Sequence, residues 1–363
     1  MSEPGLILSP GPPGSWDEAV ISCPVVLREE RGYRLWYYGR EPDFPGGGIE
    51  GGGDGIPMGR TGVAVSADGI HFERVRGPGE RGSVLDPSTQ PGRFDEWQVG
   101  GTDVVRHAGA YWLYYMGAWR GEGPLGGQLR KGFPLRIGLA RSADGLHFER
   151  VEGDAGAGAI LVNGMPEEWD AWFVGWPRVL LLPTGGWRMY YHGAGPGHPR
   201  ACGIAESADG VHWEKRGVVF GPSNDPAAFD GLAISTRHVI PWQGGYLMAY
   251  EAQPLSQPPV YRIGIAISPD GLRWERLPGP GTLGCSLDVG PPGAWDSLAV
   301  GTPYLVPEEG GALRLYYVGF GPRPTPRGVG GSIGLAVCDG RDLTRWEKVT
   351  LTAEAPSARA GES

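Results

Sequence analysis

The chain has 363 residues, 40% of them hydrophobic, and a formal net charge of −9. That is enough apolar material for one large domain or about two ordinary ones. The acidic balance and the lack of any basic run argue against nucleic acid or an anionic membrane as partner, and no apolar stretch approaches the ~18 residues of a membrane span.

The 65 glycines and 35 prolines predict many turns and few long helices. The N-terminal MSEPGLILSPGPPG lacks a charged start followed by an apolar core, so no secretory signal is expected. Cys23, Cys202, Cys285 and Cys338 show no metal-ligand spacing and read as buried free thiols in a reducing compartment. The expected location is cytoplasmic.

At Trp16-Asp17 begins a unit that the chain repeats five times, the later copies opening with Phe94-Asp95, Trp169-Asp170, Phe229-Asp230 and Trp295-Asp296. Each unit continues with a strand such as SLAVGTPYLV (297–306). An aromatic strand such as LRLYYVGF (313–320) follows, then a third such as RIGLARS (136–142). A turn and a fourth short strand close it: SADGIHFERV (66–75), SADGLHFERV (142–151), SADGVHWEKR (207–216), SPDGLRWERL (268–277) and the variant GRDLTRWEKV (340–349). Asp-Gly between strands is a tight-turn signal, because glycine accepts positive φ and aspartate bonds the local backbone. One such unit could hardly bury a core of its own. The reading is therefore an all-β five-bladed propeller with four antiparallel strands per blade. It forms a single domain over 1–351, with blades near 15–78, 93–153, 168–219, 228–279 and 294–351, and a frayed tail over 352–363. Two Gly-rich loops, 41–60 and 120–136, join the second and third strands of blades 1 and 2 and are expected to act as lids or a partner surface.

The repeats supply an internal alignment. In the first strands, Ile21, Val99, Val174, Ile234 and Val300 form a uniform packing column, followed by small residues only. Other columns are heterogeneous and polar: Cys23, Gly101, Trp176, Thr236, Thr302, and two residues on Val25, Asp103, Arg178, His238, Tyr304. Uniform columns serve the blade; variable polar ones are free to serve an asymmetric axial pocket. The aromatic-Asp pairs, present in every blade, read first as local hydrogen-bond acceptors. In the second strands, Glu251 is read as standing where the other blades carry Gly39, Gly117, Gly193 and Gly319.

Units such as VLDPSTQPGRFDEWQVGGTDVVRHAGAYWLYYMGA followed by RIGLARSADGLHFERV resemble the five-bladed propellers of the arabinanase/levansucrase/invertase superfamily, which includes family 43 glycoside hydrolases and the family 130 mannoside phosphorylases. The resemblance covers roughly residues 5–350. It implies a base aspartate in a blade-one Asp-Pro pair, a second aspartate in blade two that orients and tunes the acid, and a general-acid glutamate. Here the first falls on Cys23-Pro24, the second on Asp103, and the third near Ser235, so only one of the three is present. Asp17 and Glu251 are the substitutes expected on the rim.

The catalytic candidates are thus Asp103, Glu251 and Asp17. The substrate-binding candidates are Arg178, Arg237, His238, His192, Trp176 and Tyr304, with Trp119 as a further stacking surface; the cations could hold phosphate, carboxylate or sugar hydroxyls. The expected function is a glycoside hydrolase acting on a small glycoside or oligosaccharide. The alternatives are a non-catalytic glycan- or protein-binding propeller and a glycoside phosphorylase. No cofactor or metal is called for, although an axial structural ion is compatible with a propeller. The expected partner is a small carbohydrate, not nucleic acid or membrane, and oligomeric state is left open.

Overall fold

The computed structural model describes residues 3–41, 58–322 and 329–351. The tail over 352–363 and nearly all of the 41–60 loop lie outside these. Five antiparallel sheets form the blades. The innermost strands are Val20–Glu29, Gln98–His107, Phe173–Leu181, Ala233–Trp242 and Ala299–Pro307. Each of them contacts the innermost strands of the two flanking blades, which closes a ring around one axis. From each, the chain runs outward through a second strand (in blade 1, Gly32–Arg40), a third (Arg60–Ser66) and a short fourth (Glu73–Val75). The 120–136 loop contains a small hairpin, Glu122–Leu125 with Gln128–Lys131.

Blade 5 closes the circle from both chain ends. Its third strand, Val329–Cys338, pairs along one edge with Leu6–Leu8 and with Glu347–Lys348. The N-terminal residues are thereby stitched to the last blade, and the ring cannot open without breaking a sheet.

The aromatic-Asp pairs hold each blade together. The aromatic ring stacks on a tyrosine of the second strand, as Trp16 on Tyr37 at 5.7 Å between centroids and Phe229 on Tyr250 at 5.6 Å. The aspartate accepts that tyrosine's hydroxyl, as Asp17 from Tyr37 at 3.0 Å, and a cation from the fourth strand, as Arg74 at 2.7 Å. The same triple recurs as Asp95 with Tyr115 and Arg150, Asp170 with Tyr191 and Lys215, Asp230 with Tyr250 and Arg276, and Asp296 with Tyr317 and Lys348. All five carboxylates are buried. In blades 1, 2, 3 and 5 glycine follows two residues after the tyrosine, where space is short: a Cβ on Gly319 would lie 2.4 Å from the Cβ of Asp296.

The Asp-Gly turns join blade to blade. In blade 2, the Asp144 carboxylate accepts the N–H groups of Leu146 and His147 and the Ser142 hydroxyl. Those donors hold its pKa well below the usual carboxylate range. The glycine carbonyl of the turn then accepts from the preceding blade: Trp36 Nε1 to Gly145, and the hydroxyls of Tyr114 to Gly210, Tyr190 to Gly271 and Tyr316 to Gly69. Blade 4 carries Ala249 in this column. The turn it would meet is in blade 5, the variant copy, where Cys338 stands in place of the serine.

Candidate functional site

Each innermost strand breaks register at one level, between Ser22 and Val25, Gly101 and Asp103, Gly175 and Arg178, Ile234 and Arg237, and Gly301 and Tyr304. A bulge leaves a residue unpaired and re-aims its side chain. In blades 1, 3 and 5 that residue has left-handed backbone: Cys23 at φ 53°, Trp176 at 48° and Thr302 at 44°. Each precedes a proline, which has no N–H for the ladder to lose. Non-glycine residues in this region cost of order 1–3 kcal/mol apiece and concentrate at functional sites.

Blade 4 supplies the side chains that brace two of these bulges. Glu251 Oε2 accepts the Thr236 hydroxyl at 2.6 Å and the backbone N–H of Thr302 at 2.7 Å. Gly301 makes the reach possible, since a Cβ there would meet Glu251 Oε2 at 2.4 Å. On the other side, Arg237 Nη2 donates to the carbonyls of Trp176 and Tyr190. Its Nη1 donates to the Ser235 carbonyl at 3.3 Å and faces His192 Nδ1 at 3.5 Å. Complete burial lowers the Arg237 pKa to about 10. His192 stacks on Trp176 at 4.5 Å between centroids and is held neutral by burial, with the Arg237 charge adding to the effect. Cys23 lies in the same ring. Its Sγ accepts from Ser22 Oγ at 3.4 Å, and burial raises its pKa against the opposing field of Arg178.

Two residues further along the strands, the axis is filled. Asp103 Oδ1 accepts the N–H of Val104 at 3.0 Å, and Oδ2 that of Val179 at 2.6 Å, joining blades 2 and 3. Burial raises its pKa, with Arg178 the main opposing influence. His238 Nδ1 accepts the N–H of Leu305 at 2.9 Å, joining blades 4 and 5 in the same way. The acceptor role fixes Nδ1 as unprotonated, and burial holds the ring neutral. His238 stacks on Tyr304 at 3.8 Å between centroids, and Arg178 lies over the same ring at 4.9 Å. Arg178 donates to the carbonyls of Thr102, Arg237 and Pro303, and so binds blade 3 to blades 2, 4 and 5.

The nine candidate residues therefore fall into three places. Glu251, Trp176 and His192 lie at the level of the bulge ring, Glu251 toward blade 5 and the stacked Trp176 and His192 in blade 3. Asp103, Arg178, His238 and Tyr304 form the floor, with Arg237 between the two levels. Asp17 belongs to neither: its carboxylate is committed to Tyr37 and Arg74. Arg178 and Arg237 direct their donors at backbone carbonyls. The sequence placed Thr236 and Thr302 in a variable column and Gly301 in a uniform small one, but none of the three, which position Glu251, was among the candidates.

One alignment is corrected. The sheet register pairs Ile21 with Gly39, Val99 with Gly117, Val174 with Gly193 and Val300 with Gly319, but Ile234 with Ala252. Ala252 occupies the glycine column. Glu251 stands with Tyr38, Met116, His192 and Val318, so Glu251 and His192 are the same position in adjacent blades.

No family model matches the chain. Among solved structures, the fold matches a glycoside hydrolase with TM-score 0.66 and 19% identity, covering 95% of this chain and 93% of that one. It matches a thermostable family-43 glycoside hydrolase with TM-score 0.63 and 17% identity (94% and 97%). It also matches an N-acetylgalactosamine deacetylase from F. plautii, in complex with blood group B trisaccharide, with TM-score 0.65 and 16% identity (93% and 94%). The five-bladed propeller fold is thus shared with these proteins. The chain belongs to the family of the uncharacterized protein Rv1502 of Mycobacterium tuberculosis, with which it is 30% identical over 250 residues, 65% of this chain and 74% of that protein.

Proposed function

We propose that the protein is carbohydrate-active and takes a small glycoside or oligosaccharide at the bulge ring, where Glu251 moves the proton. The observation that carries this reading is the bracing of Glu251: a carboxylate found in one blade only is held by a hydroxyl and a backbone N–H at the level of three residues with left-handed backbone. Asp103 enters as a positioning group that fixes Arg178 and the floor. Asp17 has no part in this reading. The fold's glycoside hydrolase neighbours support the substrate class.

A second reading, glycan binding without turnover, is favoured by Cys23 at the place of the expected base. Glycoside hydrolysis ordinarily needs two carboxylates flanking the bond, and Asp103 already accepts two backbone N–H groups in the floor. A panel of aryl glycosides separates the two. Under the first reading the wild type releases the aryl alcohol, and Glu251→Gln loses about 100-fold or more in kcat with its melting temperature little changed. Release at the wild-type rate by Glu251→Gln would remove Glu251 from the mechanism. Saturable glycan binding with no release would establish the second reading, and neither binding nor release would overturn the carbohydrate assignment.

A further inference from the structure

Blades 2 and 3 carry tryptophans that the repeat does not require. Trp97 and Trp172 each stand two residues after the blade aspartate, where the other blades have Ala19, Leu232 and Leu298. Trp119 stands two residues after Gly117, where the others have Glu41, Gly195, Pro254 and Gly321. Internal comparison therefore separates these rings from blade construction, which proceeds without them elsewhere.

They are also physically continuous with the bulge ring. Trp176 stacks on His192, and His192 meets the edge of Phe173 at 5.3 Å. Phe173 meets Phe133 at 5.9 Å, and the Phe133 carbonyl accepts Trp119 Nε1 at 2.6 Å. Trp97, Trp172 and Trp176 all pack, partly exposed, on the same small cluster of Ala118, Phe133, Leu135, Phe173 and Ala194. The backbone N–H groups of Trp97 and Trp172 bond the carbonyls of Ala118 and Ala194, at the ends of the second strands, so both stand where the innermost strands begin. At the outer end Trp119 is 40% exposed, and Leu129 on the 122–131 hairpin is 69% exposed. Arg120 lies over Trp97 at 5.3 Å.

We infer that this strip is an extended binding track for the outer sugars of an oligosaccharide whose terminal unit sits at the bulge ring. The chemistry favours a sugar chain. Pyranose faces present apolar C–H groups that pack on indole rings, while the hydroxyl edges find the charged neighbours, Arg120 and the hairpin's Glu122, Arg130 and Lys131. Among the described residues the track runs outward over blades 2 and 3, so the ligand would lie off-centre and in one direction. This rests on the axial reading above, but the two can fail separately.

The test is calorimetric titration with manno-, galacto-, xylo- and arabino-oligosaccharides of one to five units, on wild type and on Trp119→Ala and Trp119→Phe. The expected result is wild-type affinity that climbs with chain length, by about tenfold from the shortest sugar bound to the longest. Trp119→Ala should lose most of that climb. Trp119→Phe keeps an aromatic face without the Nε1 donor and should retain much of it. A wild-type affinity flat with length, or a Trp119→Ala profile that follows wild type at every length, overturns the track alone. If no sugar of any length binds the wild type, the axial reading falls and the track with it.

Discussion

Two kinds of buried carboxylate stand near the end of the propeller where the innermost strands begin. Asp17 and its four equivalents are each paired with a tyrosine hydroxyl and a cation of their own blade. Glu251 occurs once, is held by a hydroxyl and a backbone N–H, and reaches across to the next blade. Burial does not tell them apart, at 1% exposure for Asp17 and 6% for Glu251. Repetition does. A group that every blade needs answers a problem every blade has, whereas a single copy must answer to something asymmetric.

That comparison breaks most sharply at Asp17. Replacing it by alanine leaves the Tyr37 hydroxyl and the Arg74 Nε without this acceptor, while Arg74 Nη2 keeps the Ser9 carbonyl. The expected cost is about 2–4 kcal/mol, below the full figure for a buried pair because Arg74 is partly exposed. Urea unfolding measures it. Turnover or binding per folded molecule should be preserved; an Asp17→Ala protein of wild-type stability that no longer acts on glycosides would return Asp17 to the site.

The same contrast explains what was readable in the sequence. The fold followed from the uniform columns, because packing and turn chemistry are identical in every blade. The misplacement of Glu251 arose where blade 4 departs from uniformity. It has Ala249-Tyr250-Glu251-Ala252 where blade 1 has Trp36-Tyr37-Tyr38-Gly39, so matching the last aromatic of the two, Tyr250 with Tyr38, slipped by one. Counting from the blade aspartate would have found the register, since the stapling tyrosine follows it by 20 or 21 residues in every blade. The left-handed backbone of Cys23, Trp176 and Thr302 had no such signal. None is glycine, and the following proline restrains its neighbour without naming that conformation.

A second difference separates the axis from the periphery through pH. His192 and His238 are buried neutral, with folded-state pKa values below the ordinary ~6.5 of histidine. The unfolded chain therefore binds protons that the folded chain refuses. Their contribution to stability is complete above about pH 6.5 and is lost as pH falls, by about 1.4 kcal/mol per pH unit for each histidine. His212, exposed beside Asp209, is shifted upward and works in the opposite sense. Stability measured between pH 7 and pH 5.5 should fall in the wild type and fall less in His238→Asn, whose side-chain oxygen can still accept from Leu305. Equal slopes in the two proteins would show that the floor tolerates a charged imidazole.

The smallest expected effect concerns the blade-to-blade ties and tests whether blade 4 lost something or had nothing to lose. Tyr190 donates its hydroxyl to the Gly271 carbonyl at 2.8 Å in a buried setting. Tyr190→Phe keeps the ring and leaves that carbonyl without this donor, at a cost of about 1 kcal/mol. Ala249→Tyr adds the missing ring to blade 4. If the variant turn of blade 5 could accept it, the substitution would stabilise by a similar amount. Ala249 is fully buried, however, and the facing turn is built on Cys338 and Asp342 rather than on the serine of the other blades. The added ring should therefore overpack and destabilise, typically by 1–3 kcal/mol. A stabilised Ala249→Tyr protein would mean that the interface between blades 4 and 5 is an incomplete copy of the others. A destabilised one would mean that alanine and the altered turn fit each other, so that blade 4 differs from its neighbours on its outer contact as well as at the axis.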